Sequence, residues 1–211
     1  MSGDATGKPE RPGFGAADLA MIGVIMIWAM TNVFARISLV EIDPFAFIMG
    51  RFVLATPVLL GWVFVRHGVR LPERRDWGTF LLAGATGFAF YNVLYTLGIS
   101  QTSAFSASLI QSTAPLFTLL LAKALGIERV TPVQWLGVGV AMMGVMVFMG
   151  DKVIERGAEN PLGDVLMLAA AGLFAVYGIL NQRLSAAYGS GATTAWCLAI
   201  GGALLAPLCI G

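Results

Sequence analysis

Long apolar runs recur along the chain, parted by short polar clusters, and each run is near the ~20 residues a helix needs to cross a bilayer. The runs predict seven membrane helices, at about Asp18–Ser38, Pro44–Val65, Trp77–Ile99, Thr102–Leu125, Val133–Gly150, Leu162–Arg183 and Thr193–Ile210. The expected fold class is therefore an all-α integral membrane protein. Residues 1–17 are polar and carry Gly, Pro, Lys8 and Arg11, which predicts a disordered tail. The next run is too long for a signal-peptide core and has no A-x-A site, so it reads as a retained helix.

The fourth run departs from a plain lipid-facing pattern. It carries no charge from Ser100 to Ala122, yet it holds Gln101, Ser108, Gln111, Ser112, Thr113 and Thr118. Steps of three and four place Gln101, Ala104, Ser108, Gln111, Pro115 and Thr118 on one face, with Phe105, Leu109, Leu116 and Leu120 on another. The polar face calls for protein or water, the other for lipid. Pro115 has no N–H, so the Gln111 carbonyl loses its helical partner roughly 18 Å into a core about 30 Å thick. A carbonyl freed at that depth must face a packed interface or a wet cavity.

Composition agrees with a membrane protein: 57% of residues are hydrophobic and 12% charged, against about one quarter charged in soluble domains. Charge placement adds orientation. If every run crosses, Lys8, Arg11, Arg66, Arg70, Arg74, Arg75, Lys123, Arg129 and Arg183 share one side, and only Arg36, Lys152 and Arg156 lie opposite. The positive-inside rule then makes the N-terminus cytoplasmic and Gly211 external. The clusters orient the chain and call for no nucleic-acid partner. Cys197 and Cys209 are separated by ~18 Å of helix rise, which excludes a disulfide, and neither has the neighbours of a metal site. No cofactor is expected. Asp18, Asp76 and Asp164 each open a helix, where a capping acid opposite the helix dipole is a simpler reading than a proton relay.

Candidate solute contacts follow from polar or aromatic groups inside apolar runs. Asn32 must face inward, toward solute or another helix, with Trp28 near it. Tyr91 and Tyr95 share a face, with Asn92 beside them, and line a cavity or pack in the core. Gln111 and Ser112 beside the Pro115 break are the leading site, and Tyr177 joins the set on the sixth helix. Arg51 is the one charge well inside an apolar run. It contacts a solute carboxylate or phosphate, or it snorkels toward Glu41 and Asp43; the second reading is preferred. Gly137, Ala141 and Gly144 form a small-residue packing seam on the fifth helix.

Asp18 to Thr31 aligns with Asp164 to Tyr177, matching Met21 to Met167, Trp28 to Phe174 and Ala29 to Ala175. Five crossings separate the two copies, so the second is inverted, as in secondary transporters. In order, the chain shows Trp28-Ala-Met-Thr-Asn32, Met49-Gly-Arg51-Phe-Val-Leu-Ala, Tyr91-Asn-Val-Leu-Tyr95, Ala104 to Ser108, Gln111-Ser-Thr-Ala-Pro115-Leu-Phe and Glu128-Arg-Val-Thr-Pro132-Val-Gln-Trp-Leu-Gly137. With these motifs it resembles an EamA-type member of the drug/metabolite transporter superfamily, from about Ala17 to the end. The resemblance implies two inverted five-helix repeats around a cavity that opens alternately to each side, and movement of small metabolites, often outward. It divides the chain into a cytoplasmic tail (1–17), a first repeat (18–150) and a partial second repeat (162–211), as if truncated after the seventh helix.

The expected function is transport of small neutral or zwitterionic solutes, amino acids first, by export or facilitated diffusion in a bacterial inner membrane. The expected partners are the solute, the lipid bilayer, and either a second copy or missing C-terminal helices. The alternative is a non-transporting module that pairs with another chain. An intramembrane serine protease lacks a partner for its serine, since His67 lies in a loop, and a seven-helix photoreceptor lacks a lysine in the last helix.

Overall fold

The computed structural model describes residues 15–67, 71–127, 130–156 and 161–210, and among these every regular element is a helix. The helices are α1 (Ala16–Ser38), α2 (Pro44–His67), α3 (Trp77–Gly84), α4 (Phe90–Gln101), α5 (Ala104–Gln111), α6 (Ala114–Ala124), α7 (Pro132–Arg156), α8 (Leu162–Tyr188) and α9 (Ser190–Ile210). A π-helical turn, Ala85–Ala89, joins α3 to α4. The spans Pro44–Arg66, Trp77–Gln101, Phe105–Ala124 and Leu162–Tyr188 are long and apolar enough to cross a membrane. The protein is an all-helical integral membrane protein.

Two of the seven predicted helices are interrupted. The third rod widens into the π turn where Tyr177 of α8 lies against Gly87, so close that a Cβ there would sit 2.3 Å from the ring. The fourth rod is two short helices rather than one. Ser112 and Thr113 turn their hydroxyls onto the carbonyls three residues back, Leu109 and Ile110, both at 2.6 Å, which competes with helix continuation. Pro115 then falls in the first turn of α6, where a missing N–H costs nothing. At the start of this rod Thr102 is extended, and Ser103 caps α5 by accepting from the Ser106 amide at 3.0 Å. Beyond Arg183, the predicted end of the sixth helix, α8 runs on to Tyr188 and stops at Gly189, whose φ of 83° suits glycine.

α8 is the central rod, antiparallel to α3–α4. Phe80 meets Tyr188, Gly87 meets Tyr177 and Gly98 meets Met167 in succession along the pair. Glycine permits the close crossing: a Cβ on Gly163 would stand 2.9 Å from the backbone of Gln101. Both ends are pinned by a hydroxyl on a carboxylate. Thr102 Oγ1 donates to Asp164 Oδ1 at 2.5 Å, and Tyr188 Oη donates to Asp76 Oδ2 at 2.6 Å. The Glu73 amide also donates to Tyr188 Oη, at 3.1 Å. The simple capping reading therefore describes Asp18, which accepts from the Gly15 amide at 2.8 Å, whereas Asp76 and Asp164 each reach another segment.

α9 fits between α2 and the third rod, with Gly202 against Phe52 and Gly201 against Phe88. α7 is held to α6 by Lys123 Nζ, 4.3 Å above the Trp135 ring. Cys197 is buried and free, a packing residue, and the Cys209 side chain lies outside the described residues.

Candidate solute groove

Between α5–α6 and α8, with Ile25 of α1 on its rim, lies a groove of about 720 Å³. Ser108, Gln111, Pro115 and Thr118 of the predicted polar stripe line it, together with Ser112. The facing wall is Phe174, Gly178 and Gln182, spaced four apart on one face of α8. This wall was missed in the sequence, where Phe174 and Gly178 look like ordinary core; the signal was the i, i+4, i+8 spacing that ends on glutamine. The helix break explains why the groove is polar in the middle of an apolar rod. It places Gln111, the last residue of α5, and Ser112 on the groove wall in the middle of that rod. Leu119, Ile127 and Ile179 make the rest of the wall apolar.

Gln111 is the pivot of the site. Its Nε2 donates to Tyr91 Oη at 3.0 Å, and its Oε1 is buried with no hydrogen-bond partner among the described residues. Behind it runs a column of rings: Tyr95 stacks on Tyr91 at 5.7 Å, Tyr91 meets Phe174 at 5.2 Å, and Phe174 meets Tyr177 at 5.7 Å. The groove stops beside a solid half of the bundle, where Ile99, Ala107, Ile110, Met167 and Ala170 are fully buried.

The predicted contacts therefore separate. Gln111, Ser112 and Pro115 lie on the groove wall, and Tyr91 stands one hydrogen bond behind it. Tyr95 and Tyr177 are buried in the packed core, because glycine-mediated approach of α8 turns the shared face of Tyr91 and Tyr95 inward. Asn92 is buried as well and donates its amide to the Phe88 carbonyl at 2.7 Å. Arg51 is exposed, off the groove wall, with its guanidinium 5.6 Å from the Phe47 ring centre. The preferred pairing of Arg51 with Glu41 or Asp43 does not occur among the described residues. Asp43 is occupied in capping α2, where it accepts from the Phe45 and Ala46 amides at 2.9 and 3.2 Å. The side chains of Trp28 and Asn32 on α1 lie outside the described residues. No cluster of His, Cys, Asp or Glu able to hold a metal occurs among the described residues.

Residues 15–150 match the EamA-like transporter family. The chain belongs to the EamA-like transporter family. It is 29% identical over 187 residues to an uncharacterized transporter of Archaeoglobus fulgidus, covering 88% of this chain and 64% of that protein. It is 31% identical over 189 residues to a probable terminal-alkyne amino-acid exporter of Streptantibioticus cattleyicolor, covering 90% and 62%. An uncharacterized inner membrane transporter, YedA of Escherichia coli, is 26% identical over 187 residues, covering 88% and 60%. This EamA-like chain thus spans less than two thirds of the length of these relatives. No solved structure matches it. The family and these relatives are all named as transporters.

Proposed function

We propose that this chain carries the solute path of a transporter for small neutral or zwitterionic organic solutes, amino acids first among them, working by alternating access. The observation that carries this reading is the groove. Its volume falls within the roughly 300–1,000 Å³ of small-molecule sites, with a few polar groups on an otherwise apolar wall. The Streptantibioticus cattleyicolor relative, a probable terminal-alkyne amino-acid exporter, favours the same solute class. The proposed architecture is two inverted repeats, with residues 18–150 as the first and 162–211 as the opening of the second.

The side the groove faces follows from charge. The groove runs from Gln111 toward Ile127 and Gln182, the end of the bundle that carries Lys123 and Arg183. Under the positive-inside rule that end is cytoplasmic, so the groove opens to the cell interior, and the exporter among the relatives favours export. The solid half around Ile99 and Met167 then closes the outer side.

The test is counterflow in proteoliposomes containing the complete gene product, with a panel of the common amino acids. Gly178→Leu is the blocking variant, since Gly178 faces Thr118 Oγ1 4.0 Å from an added Cβ and a leucine there fills the groove. The expected result is flux of at least one solute, abolished by Gly178→Leu at unchanged protein yield. Equal flux in both proteins, or none from wild type with any solute, contradicts the proposal.

A further inference from the structure

Glycine inside a helix is destabilising relative to alanine, and in this bundle close packing usually explains it. An added Cβ on Gly84, Gly87, Gly98, Gly163, Gly201 or Gly202 would stand within 3.0 Å of a neighbouring segment, so helix crossing requires glycine at each. Gly178, inside α8, is different. An added Cβ there would meet one heavy atom within 4 Å among the described residues, Thr118 Oγ1 at 4.0 Å, which is ordinary contact. Packing therefore does not require glycine at 178. What the missing side chain leaves is room in the groove, whose wall both residues line. The two walls run in the same direction: Gln111 and Phe174 meet at Tyr91, Thr118 faces Gly178, and Gln182 stands about 6 Å further along α8. Exposed Ser108 and Ser112 lie to one side of the Thr118–Gly178 pair, Ile127 and Gln182 to the other, with Leu119 and Ile179 beside the pair itself. Thr118 Oγ1 donates to the Ala114 carbonyl at 3.0 Å, so its proton is used within its own helix.

We infer that Gly178 and Thr118 form the waist of the groove and sort its solutes by width, admitting the apolar side chain of a 2-amino acid over the bare backbone of Gly178. Straight chains pass the waist more freely than branched ones. The inference rests on the transport reading and adds to it the pair of residues that selects among solutes of equal charge. Leu119 and Ile179 make the surroundings of the waist apolar, and an apolar pocket discriminates a single methyl group about tenfold or more. A methyl added at residue 178 takes space from the solute, while its ordinary contact with Thr118 leaves the approach of α6 to α8 undisturbed.

The test is counterflow in proteoliposomes containing the complete gene product, with labelled norleucine, leucine and tert-leucine, isomers of one formula and one charge state in order of increasing width. Wild type is expected to carry all three. Gly178→Ala is expected to lower the ratio of tert-leucine to norleucine flux by about tenfold or more, with norleucine flux retained. Thr118→Ala in the Gly178→Ala background trims the facing wall and is expected to return the ratio toward the wild-type value. Gly172→Ala, also on α8 with open space around its added Cβ but off the groove wall, is expected to leave the ratio unchanged, which separates width from helix stiffening. An unchanged ratio in Gly178→Ala, a drop shared equally by Gly172→Ala, or a drop that Thr118→Ala fails to reverse overturns the inference, while the wild-type flux leaves the transport reading standing. Wild-type flux of none of the three also overturns the inference, and the wider panel of amino acids then decides separately whether the transport reading falls.

Discussion

Thr102 Oγ1 donates to Asp164 Oδ1 at 2.5 Å, tying the extended residue between α4 and α5 to the first turn of α8. Both residues are buried, so the bond sits where water cannot replace it. Thr102→Val keeps the shape and removes the donor, and is expected to cost about 1.5–3 kcal/mol, the worth of a hydrogen bond to a charged group. Asp164→Asn retains an acceptor oxygen and is expected to cost less. Thermal unfolding in detergent, followed by the loss of monodisperse protein, gives the order.

Gly87 and Tyr177 make a second test because they share one space. Gly87→Ala puts a Cβ 2.3 Å from the tyrosine ring, closer than any real contact, so the π turn or the ring must move. The expected cost is about 1–3 kcal/mol from overpacking. In the Tyr177→Ala background the clash is gone, and Gly87→Ala is expected to be nearly neutral. Additive losses in the double mutant would show that the π turn is set by something other than this ring.

The Tyr188 hydroxyl holds the segment that leads into α3. Tyr188→Phe removes its bonds to Asp76 and from the Glu73 amide but keeps the ring against Phe80, at 5.3 Å. The expected result is a small loss of global stability, about 1 kcal/mol for a partly exposed hydrogen bond. Exchange of the Glu73 amide is expected to accelerate while amides in α8 stay protected, as hydrogen exchange by mass spectrometry resolves.

Lys123 and Trp135 predict how α7 is attached. Lys123→Arg preserves the cation over the ring and is expected to behave as wild type. Lys123→Met is expected to loosen α7 by about 0.5–1 kcal/mol. Faster proteolysis between α6 and α7 in Lys123→Met alone is the readout.

Much of this architecture is legible in the residues. Apolar run length gives the helices, and the polar stripe from Ser108 to Thr118 gives one wall of the groove, because both depend on local periodicity. The break at Ser112 and Thr113 is half legible: Pro115 signals the lost bond, but whether the rod kinks or restarts depends on two hydroxyls choosing their own carbonyls. What the periodicity hides is partnership across the fold. Asp76 and Asp164 have the spacing of caps, and only the antiparallel approach of α8 brings Tyr188 and Thr102 to them. Tyr91 and Tyr95 do share a face, as spacing requires, but which neighbour covers that face is decided by Gly98 and Gly163, whose part in a close crossing no local pattern announces. Arg51 is the reverse case: nearby acids in sequence invite an ion pair, yet Asp43 is already committed to the α2 amides.

The central claim is that water and solute enter between α5–α6 and α8. Single cysteines at Ser112, Thr118 and Gln182, in a background with Cys197 and Cys209 replaced by alanine, are exposed to a membrane-impermeant thiosulfonate from the cytoplasmic side. Modification at all three positions, slowed by a transported solute and absent at a Leu116→Cys control off the groove wall, is the predicted result. Three unreactive thiols in folded, inserted protein would contradict it.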